Sequence, residues 1–363
     1  MNILVYDIAA ENSGAVTILN DFYDNVKRNE DEKIRWIFLL SIIDLEETGN
    51  IQVLKFPWIK KSWFHRLFFD YFIAPIIVKK YNIDKIFSLQ NTLVPLVKEK
   101  QLLYLHQSLP FVKYKFKVTE NFRFWMYQNV VSKFIFKSIV SSEATVVQTK
   151  WMKEACLDNL QIDEGKIVVV PPYIEIKNEL KFKQNFGNKK IFFYPATANS
   201  YKNHIAIIEA CKELNKRGIF DYKVLLTISG LENKYAAQLR KNIENSNVNI
   251  ELIGFITREE VLKLYSETIL LFPSYVESHP MPLKEAQVSG SIILASNCSF
   301  STEILGDYPN SVFFDPFAHQ ELFEAMKIII EDRFEYVEAN YKNTNHVNTR
   351  NTWDEIIGII DKL

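Results

Sequence analysis

Short apolar runs, each a few residues long and closed by turn formers, alternate with helical patterns along the whole chain. A run that is apolar at every position must be covered on both faces, and its recurrence after each helix is satisfied by parallel sheets clothed in helices. Strand candidates in the first half are Asn2–Tyr6, Ile34–Leu40, Lys85–Ser88, Leu102–Leu105, Ala144–Gln148 and Ile167–Val170. The last runs into Pro171-Pro172, a pair that lacks amide hydrogens and stops strand or helix, so the domain boundary is placed there. The pattern restarts with Lys190–Pro195, a helix from about Asn203, and strands at Lys223–Ser229, Ile250–Gly254, Ile269–Phe272, Ile292–Ala295 and Val312–Phe314. The expected architecture is α/β, with two Rossmann-like doubly wound domains, residues 1–172 and 173–344, facing a central cleft at the carboxyl ends of their strands. Residues 345–363, with Trp353, Ile356, Ile357 and Ile360 at helical spacing, read as an amphipathic helix packing back on the first domain. A length of 363 residues suits two such cores.

Composition narrows the class. With 48% apolar and 24% charged residues and no biased tract, the chain reads as globular. Cys156, Cys211 and Cys298 are odd in number and show neither zinc spacing nor a disulfide framework, which fits a reducing cytoplasm. Met1–Asp7 reads as a first buried strand and not as a signal peptide. The longest apolar stretch, Leu67–Val78, is broken by Asp70 and falls short of the ~20 residues of a spanning helix. Net charge is −1, yet Lys55–Val140 holds 15 Lys/Arg against four acids, interleaved with aromatics. Lys60, Lys61, Trp63 and Arg66, and then Lys113, Lys115 and Lys117, form the densest clusters, which is the pattern of an interfacial segment or of a nucleic-acid surface.

The stretch from Phe272 to Ala286 is the most informative for chemistry. Pro282 suits a helix start and Gly290 a helix end, so the segment reads strand, loop, short helix, strand. Unpaired amides at that helix start, at the edge of the sheet, make an anion site suited to a diphosphate. Glu277 lies in the loop and Glu285 is placed in the first turn, with seven residues between them. A carboxylate can accept two hydrogen bonds from a vicinal diol, although Glu285 there would also complement the helix dipole, and spacing alone leaves both readings open. Lys202 at a helix start opposes the dipole and is placed more comfortably if an anion sits there, the alternative being a solvated surface lysine. His106 follows an apolar strand and so belongs at the rim of the first sheet, as ligand contact or as structural histidine, and Gly14 would let the first loop approach a ligand or merely turn it.

Taken together, the pair Glu277 and Glu285, the turn at Gly290, Ala295-Ser296-Asn297, Glu303–Asp307 and Phe314-Asp315-Pro316 resemble the donor-binding signature of the family 4 retaining glycosyltransferases of bacterial polysaccharide, capsule and lipopolysaccharide synthesis. Tyr194-Pro195-Ala196 leading to Lys202-Asn203-His204, and Leu252–Ile256 before Glu259-Glu260-Val261, are similar to further motifs of that family. The resemblance spans residues 190–316, and is weaker before them, at Ser13-Gly14-Ala15, His106 and Val147–Met152. It implies a GT-B fold and transfer of a sugar, with retention, from a nucleotide-diphosphate donor to a glycan or lipid-linked acceptor. UDP-sugar is the default, with GDP-mannose and dTDP-rhamnose as alternatives.

The resemblance also implies roles. Glu285 would hold the donor ribose, Glu277 the transferred sugar, and Lys202 with the amides of Met281, Pro282 and Leu283 the diphosphate. Gly254, Phe255, Ile256 and Thr257 would line the base, and His106 would approach the sugar. Gly14, Asn199, Ser278, His279 and Pro280 join the donor site, with His204 a further cleft candidate. Two positions depart from the family: Thr197 stands where relatives carry a phosphate-clamping arginine, and Ser278-His279-Pro280 where many carry glycines. No Asp-x-Asp occurs, so no metal and no other cofactor is expected. A cytoplasmic enzyme, docked peripherally on the inner membrane face through its basic aromatic half and binding no nucleic acid, completes the expectation. A nucleotide-sugar epimerase or hydrolase, or a non-catalytic nucleotide-binding partner, would share the donor site.

Overall fold

A computed structural model describes residues 1–11, 13–29, 33–172, 181–183, 189–338 and 352–363. The chain forms two compact units, Met1–Tyr173 with Asn348–Leu363, and Ile174–Val347.

The first unit is a seven-stranded parallel sheet. Its strands are β1 (Asn2–Asp7), β2 (Arg35–Leu40), β3 (Ile51–Lys55), β4 (Lys85–Ser88), β5 (Lys100–Leu105), β6 (Ala144–Val147) and β7 (Ile167–Val169), in the order β3-β2-β1-β4-β5-β6-β7. Side chains alternate across each strand, and the two faces bury different sets. Ile3 and Val5 join Phe22, Trp36 and Phe38 in one core, whereas Leu4 and Tyr6 join Ile37, Phe69, Ile77 and Val78 in the other. The carboxyl-terminal helix Thr352–Lys362 belongs to the first of these cores. Its Trp353 meets Phe22 edge-on at 5.2 Å, and Lys85 Nζ donates to the terminal carbonyls of Ile360 and Asp361 at 2.9 Å each. Residues 345–351 of the expected helix lie outside the described residues.

The second unit has six parallel strands, β8 (Lys190–Tyr194), β9 (Tyr222–Leu226), β10 (Ile250–Leu252), β11 (Ile269–Phe272), β12 (Ile293–Ser296) and β13 (Ser311–Phe314), ordered β10-β9-β8-β11-β12-β13. Every strand expected from the sequence is present, with ends shifted by up to three residues. One was missed: β3 is a half-buried edge strand whose Ile51-Gln52-Val53-Leu54-Lys55 lacks the continuous apolar character of the others.

In both sheets the chain reverses its winding direction once, between β1 and β4 and between β8 and β11. Loops leaving two such neighbours run to opposite faces, and the crevice opened between them at the carboxyl edge is where open α/β sheets bind ligands.

Candidate active site

In the second unit that crevice is bridged by charge. Beyond β8 the chain turns through Pro195–Asn199 to Lys202, and beyond β11 it runs through Pro273 and Ser274 to Glu277. Lys202 Nζ donates to Glu277 Oε1 at 2.5 Å, and Ser274 Oγ donates to the same oxygen at 2.7 Å. Burial opposes the lysine's charge, but Glu277 and Tyr201 beside it hold its pKa above the ordinary value, so it is a cation at all physiological pH. Asn203 sits in the left-handed region at φ 58° and donates its side-chain amide to the carbonyls of Pro273 and Pro316, at 3.3 and 2.7 Å. One residue thereby fastens the loops after β8, β11 and β13 beside the ion pair.

The short helix beyond Glu277 is Met281–Ser289, stopped by Gly290 at φ 83°. Its start carries less than expected. Pro282 has no amide hydrogen, and Leu283 N–H is spent on the Pro280 carbonyl at 3.1 Å, which leaves Met281 to serve an anion. Glu285 is the fifth helical residue and not in the first turn, so dipole complementation does not explain it. It is 4% exposed and forms an ion pair with Arg258, whose Nη2 lies 2.7 Å from Oε1. Arg258 was not singled out from sequence, yet it opens the helix Arg258–Glu267 and opposes its dipole, the same signal that drew attention to Lys202. His279 is neutral, its pKa pushed down to about 4 by burial. Ser278 and Pro280 flank it in the same loop.

The other donor candidates line the same edge. Gly254 has φ 71°, Phe255 is 93% exposed, Ile256 is half-buried, and Thr257 caps the helix of Arg258 through a reciprocal bond pair with Glu260. Thr197 is exposed and its hydroxyl accepts from the Asn199 amide at 3.1 Å, so this site has no arginine in that loop. His204 is no cleft residue: it is fully buried against Tyr194, and burial, with Lys202 nearby, drives its pKa down to about 3. Among the described residues no group of three or more His, Cys, Asp or Glu could hold a metal ion.

In the first unit, His106 follows β5 and its Nε2 lies 2.8 Å from the Leu89 carbonyl. The same nitrogen lies 3.1 Å from the Asn91 side-chain amide nitrogen, so the ring is held between the Leu89 carbonyl and Asn91. Burial lowers the pKa, leaving the ring neutral. Asn91 Oδ1 fixes the same stretch by accepting from the amides of His106 and Gln107 at 2.8 and 3.0 Å. Gly14 lies in the helix Ser13–Arg28 and not in the preceding loop, with open space where a Cβ would stand.

The basic candidates divide. Lys61, Trp63, Lys113, Lys115 and Lys117 are exposed. Lys60 and Arg66 are not free surface cations: Lys60 Nζ donates to the Ala9 carbonyl at 3.0 Å and pairs with Glu11, and Arg66 Nε donates to Asp70 at 3.0 Å, where Tyr6 also bonds. They fold over the carboxyl end of β1, where Asp7 is 2% exposed and burial raises its pKa from 3.8 to about 7. Between pH 4 and 7 the folded protein therefore binds more protons than the unfolded chain, and stability falls as pH rises through that window. Asp7→Asn is expected to flatten this slope and raise the melting temperature at pH 8, as read by thermal denaturation across pH 4–8; an unchanged pH profile refutes it.

Residues 176–347 match the family of glycosyl transferases group 1, and this segment contains Lys202, Glu277, Glu285 and Arg258. The protein is a glycosyltransferase. No curated protein matches it in sequence. Its fold is GT-B: the whole chain is similar to WaaG, a glycosyltransferase involved in lipopolysaccharide biosynthesis, at 14% identity and TM-score 0.72, covering 99% of each chain. A glycosyltransferase from Rickettsia africae is similar at 17% identity and TM-score 0.64, over 99% of this chain and 98% of that one. HepE of Anabaena, solved in complex with UDP and glucose, is similar at 16% identity and TM-score 0.63, over 91% and 90%. Identities this low carry the fold of the transferase and not its substrates.

Proposed function

We propose that the enzyme is a family 4 retaining transferase that moves a sugar from a UDP-sugar to a glycan or lipid-linked acceptor in bacterial surface polysaccharide synthesis. The observation that carries this reading is the Lys202–Glu277 pair across the crevice of the second sheet, with Glu285 buried one turn into the neighbouring helix. Lys202 and the Met281 amide meet the diphosphate, and Glu285 accepts the ribose hydroxyls. Glu277 lies beside the transferred sugar, where charge develops as the C1–O bond to phosphate breaks. The acceptor oxygen bonds C1 on the same face, and its proton passes to the leaving phosphate oxygen. UDP is favoured because a similar fold holds UDP and glucose, and the lipopolysaccharide role of WaaG favours a bacterial glycan. A thermal-shift screen of UDP-, GDP- and dTDP-sugars tests the donor, since ligand at ~100 times its dissociation constant adds ~2.7 kcal/mol. Anomeric NMR of the product tests retention, and an inverted product rejects it.

Metal independence belongs to the same reading, with Lys202 supplying the positive charge and no Asp-x-Asp pair in the chain. Turnover should survive excess EDTA; complete loss restored by Mn²⁺ refutes it.

Membrane docking gains a more definite element. Among the described residues no helix is long and apolar enough to cross a membrane. In the helical stretch from Trp63 to Lys80, however, Phe64, Phe68, Phe72 and Ile76 recur every fourth residue and each is more than half exposed. The opposite side buries Phe69, Ile77 and Val78. An apolar ridge beside exposed Lys61, Lys79 and Lys80 suits insertion into an anionic interface, with each cation contributing ~1 kcal/mol. Co-sedimentation with phosphatidylglycerol vesicles should be lost when Phe64, Phe68 and Phe72 become Ser, and weakened by salt when Lys61, Lys113, Lys115 and Lys117 are retained. Equal binding by the Ser variant, or none by the wild type at low salt, rejects docking.

A further inference from the structure

We propose that Glu277 acts as a latch on Lys202 that an incoming diphosphate must displace, and that Ser274 is the positioning residue that sets the latch. The inference rests on the second unit being the donor site. Lys202 and Glu277 side chains are 18% and 14% exposed, so their attraction is only partly screened. The oxygen that meets Lys202 Nζ is the one that accepts the Ser274 hydroxyl, so Glu277 is gripped from two directions. Ser274 is itself fully buried, and its carbonyl accepts the Ser296 hydroxyl at 2.5 Å, which ties the grip to the end of β12.

An anion that reaches Lys202 therefore arrives beside a carboxylate already holding that lysine. Two negative groups then share one cation, with both protein side chains largely shielded from solvent, and binding is weakened by the repulsion. The same repulsion speeds departure of the nucleoside diphosphate after transfer. It follows that neutralising Glu277 tightens the grip on nucleoside diphosphate although it impairs turnover, the reverse of what loss of a binding contact produces.

Isothermal titration of UDP, GDP and dTDP into the full-length protein tests this. For the nucleotide that binds, Glu277→Gln is expected to bind roughly tenfold tighter than wild type. Ser274→Ala, which leaves the ion pair but loosens it, should fall between the two, and Ser274→Thr, which keeps the hydroxyl, should match wild type. The gain should vanish in Lys202→Met/Glu277→Gln, because the two residues act through one contact. Should Glu277→Gln fail to fold by circular dichroism, the Ser274 series alone decides. Unchanged or weaker binding in Glu277→Gln, or in Ser274→Ala where that series decides, overturns the latch while leaving the donor site in place. Absence of binding by all three nucleotides to the wild type overturns the donor site and the latch together.

Discussion

Lys202→Ala should lower kcat/KM by roughly two to three orders of magnitude, the loss seen when one preorganised charge-stabilising donor is removed from a transfer site. Two effects add. The diphosphate loses its cation, and Glu277, only 14% exposed, is left unpaired beside it. Lys202→Arg should recover part of the activity but not all, because a planar guanidinium does not replace a compact ammonium in a cleft where Ser274 and Asn203 fix the neighbouring loops. Initial rates with the donor identified by thermal shift provide the measurement, with melting temperature as the control for folding. Activity of Lys202→Ala within threefold of wild type would remove Lys202 from the mechanism.

Glu285→Ala should weaken nucleotide binding by about ten- to a hundredfold, since each hydrogen bond to a charged group contributes ~1.5–3 kcal/mol. The expected loss is specific: wild type should prefer UDP over 2′-deoxy-UDP, and the variant should bind the two alike. Arg258→Ala probes the same carboxylate differently. Arg258 is 62% exposed at its side chain, so solvent screens the pair and the variant should fold, but the buried Glu285 loses its partner and the melting temperature should drop. A Glu285→Ala protein that still discriminates the two nucleotides would place the ribose elsewhere.

The two sheets, their parallel sense and the carboxyl-terminal helix were legible because burying both faces of a strand demands uninterrupted apolar residues, and a helix demands period 3.6. Where that demand lapsed, at the edge strand Ile51–Lys55, legibility lapsed too. A candidate was legible where a charge reads as opposed to its setting: Lys202 closes the turn Ser200–Lys202, just ahead of the helix His204–Lys216, and meets a carboxylate there. Arg258 carries a charge opposed to the dipole at the start of its helix but stands in no motif that ties it to Glu285. Ser274 left no mark, because a serine after a strand is ordinary and its role comes from a contact with Glu277 in the same loop.

The sequence by itself determined which segments become strands, where the first sheet ends, and which carboxylates and lysine stand at a sheet edge. Only the tertiary structure decided which of them meet. Lys202 and Glu277 are 75 residues apart and pair because β8 and β11 are neighbours at a reversal of winding. Strand order follows from the packing of whole elements, and one-dimensional periodicity carries no record of it. The same holds for Lys60 and Arg66: their charge and spacing spoke for a free basic surface, and only the fold, by bringing Ala9, Glu11 and Asp70 within reach, turned them inward over Asp7.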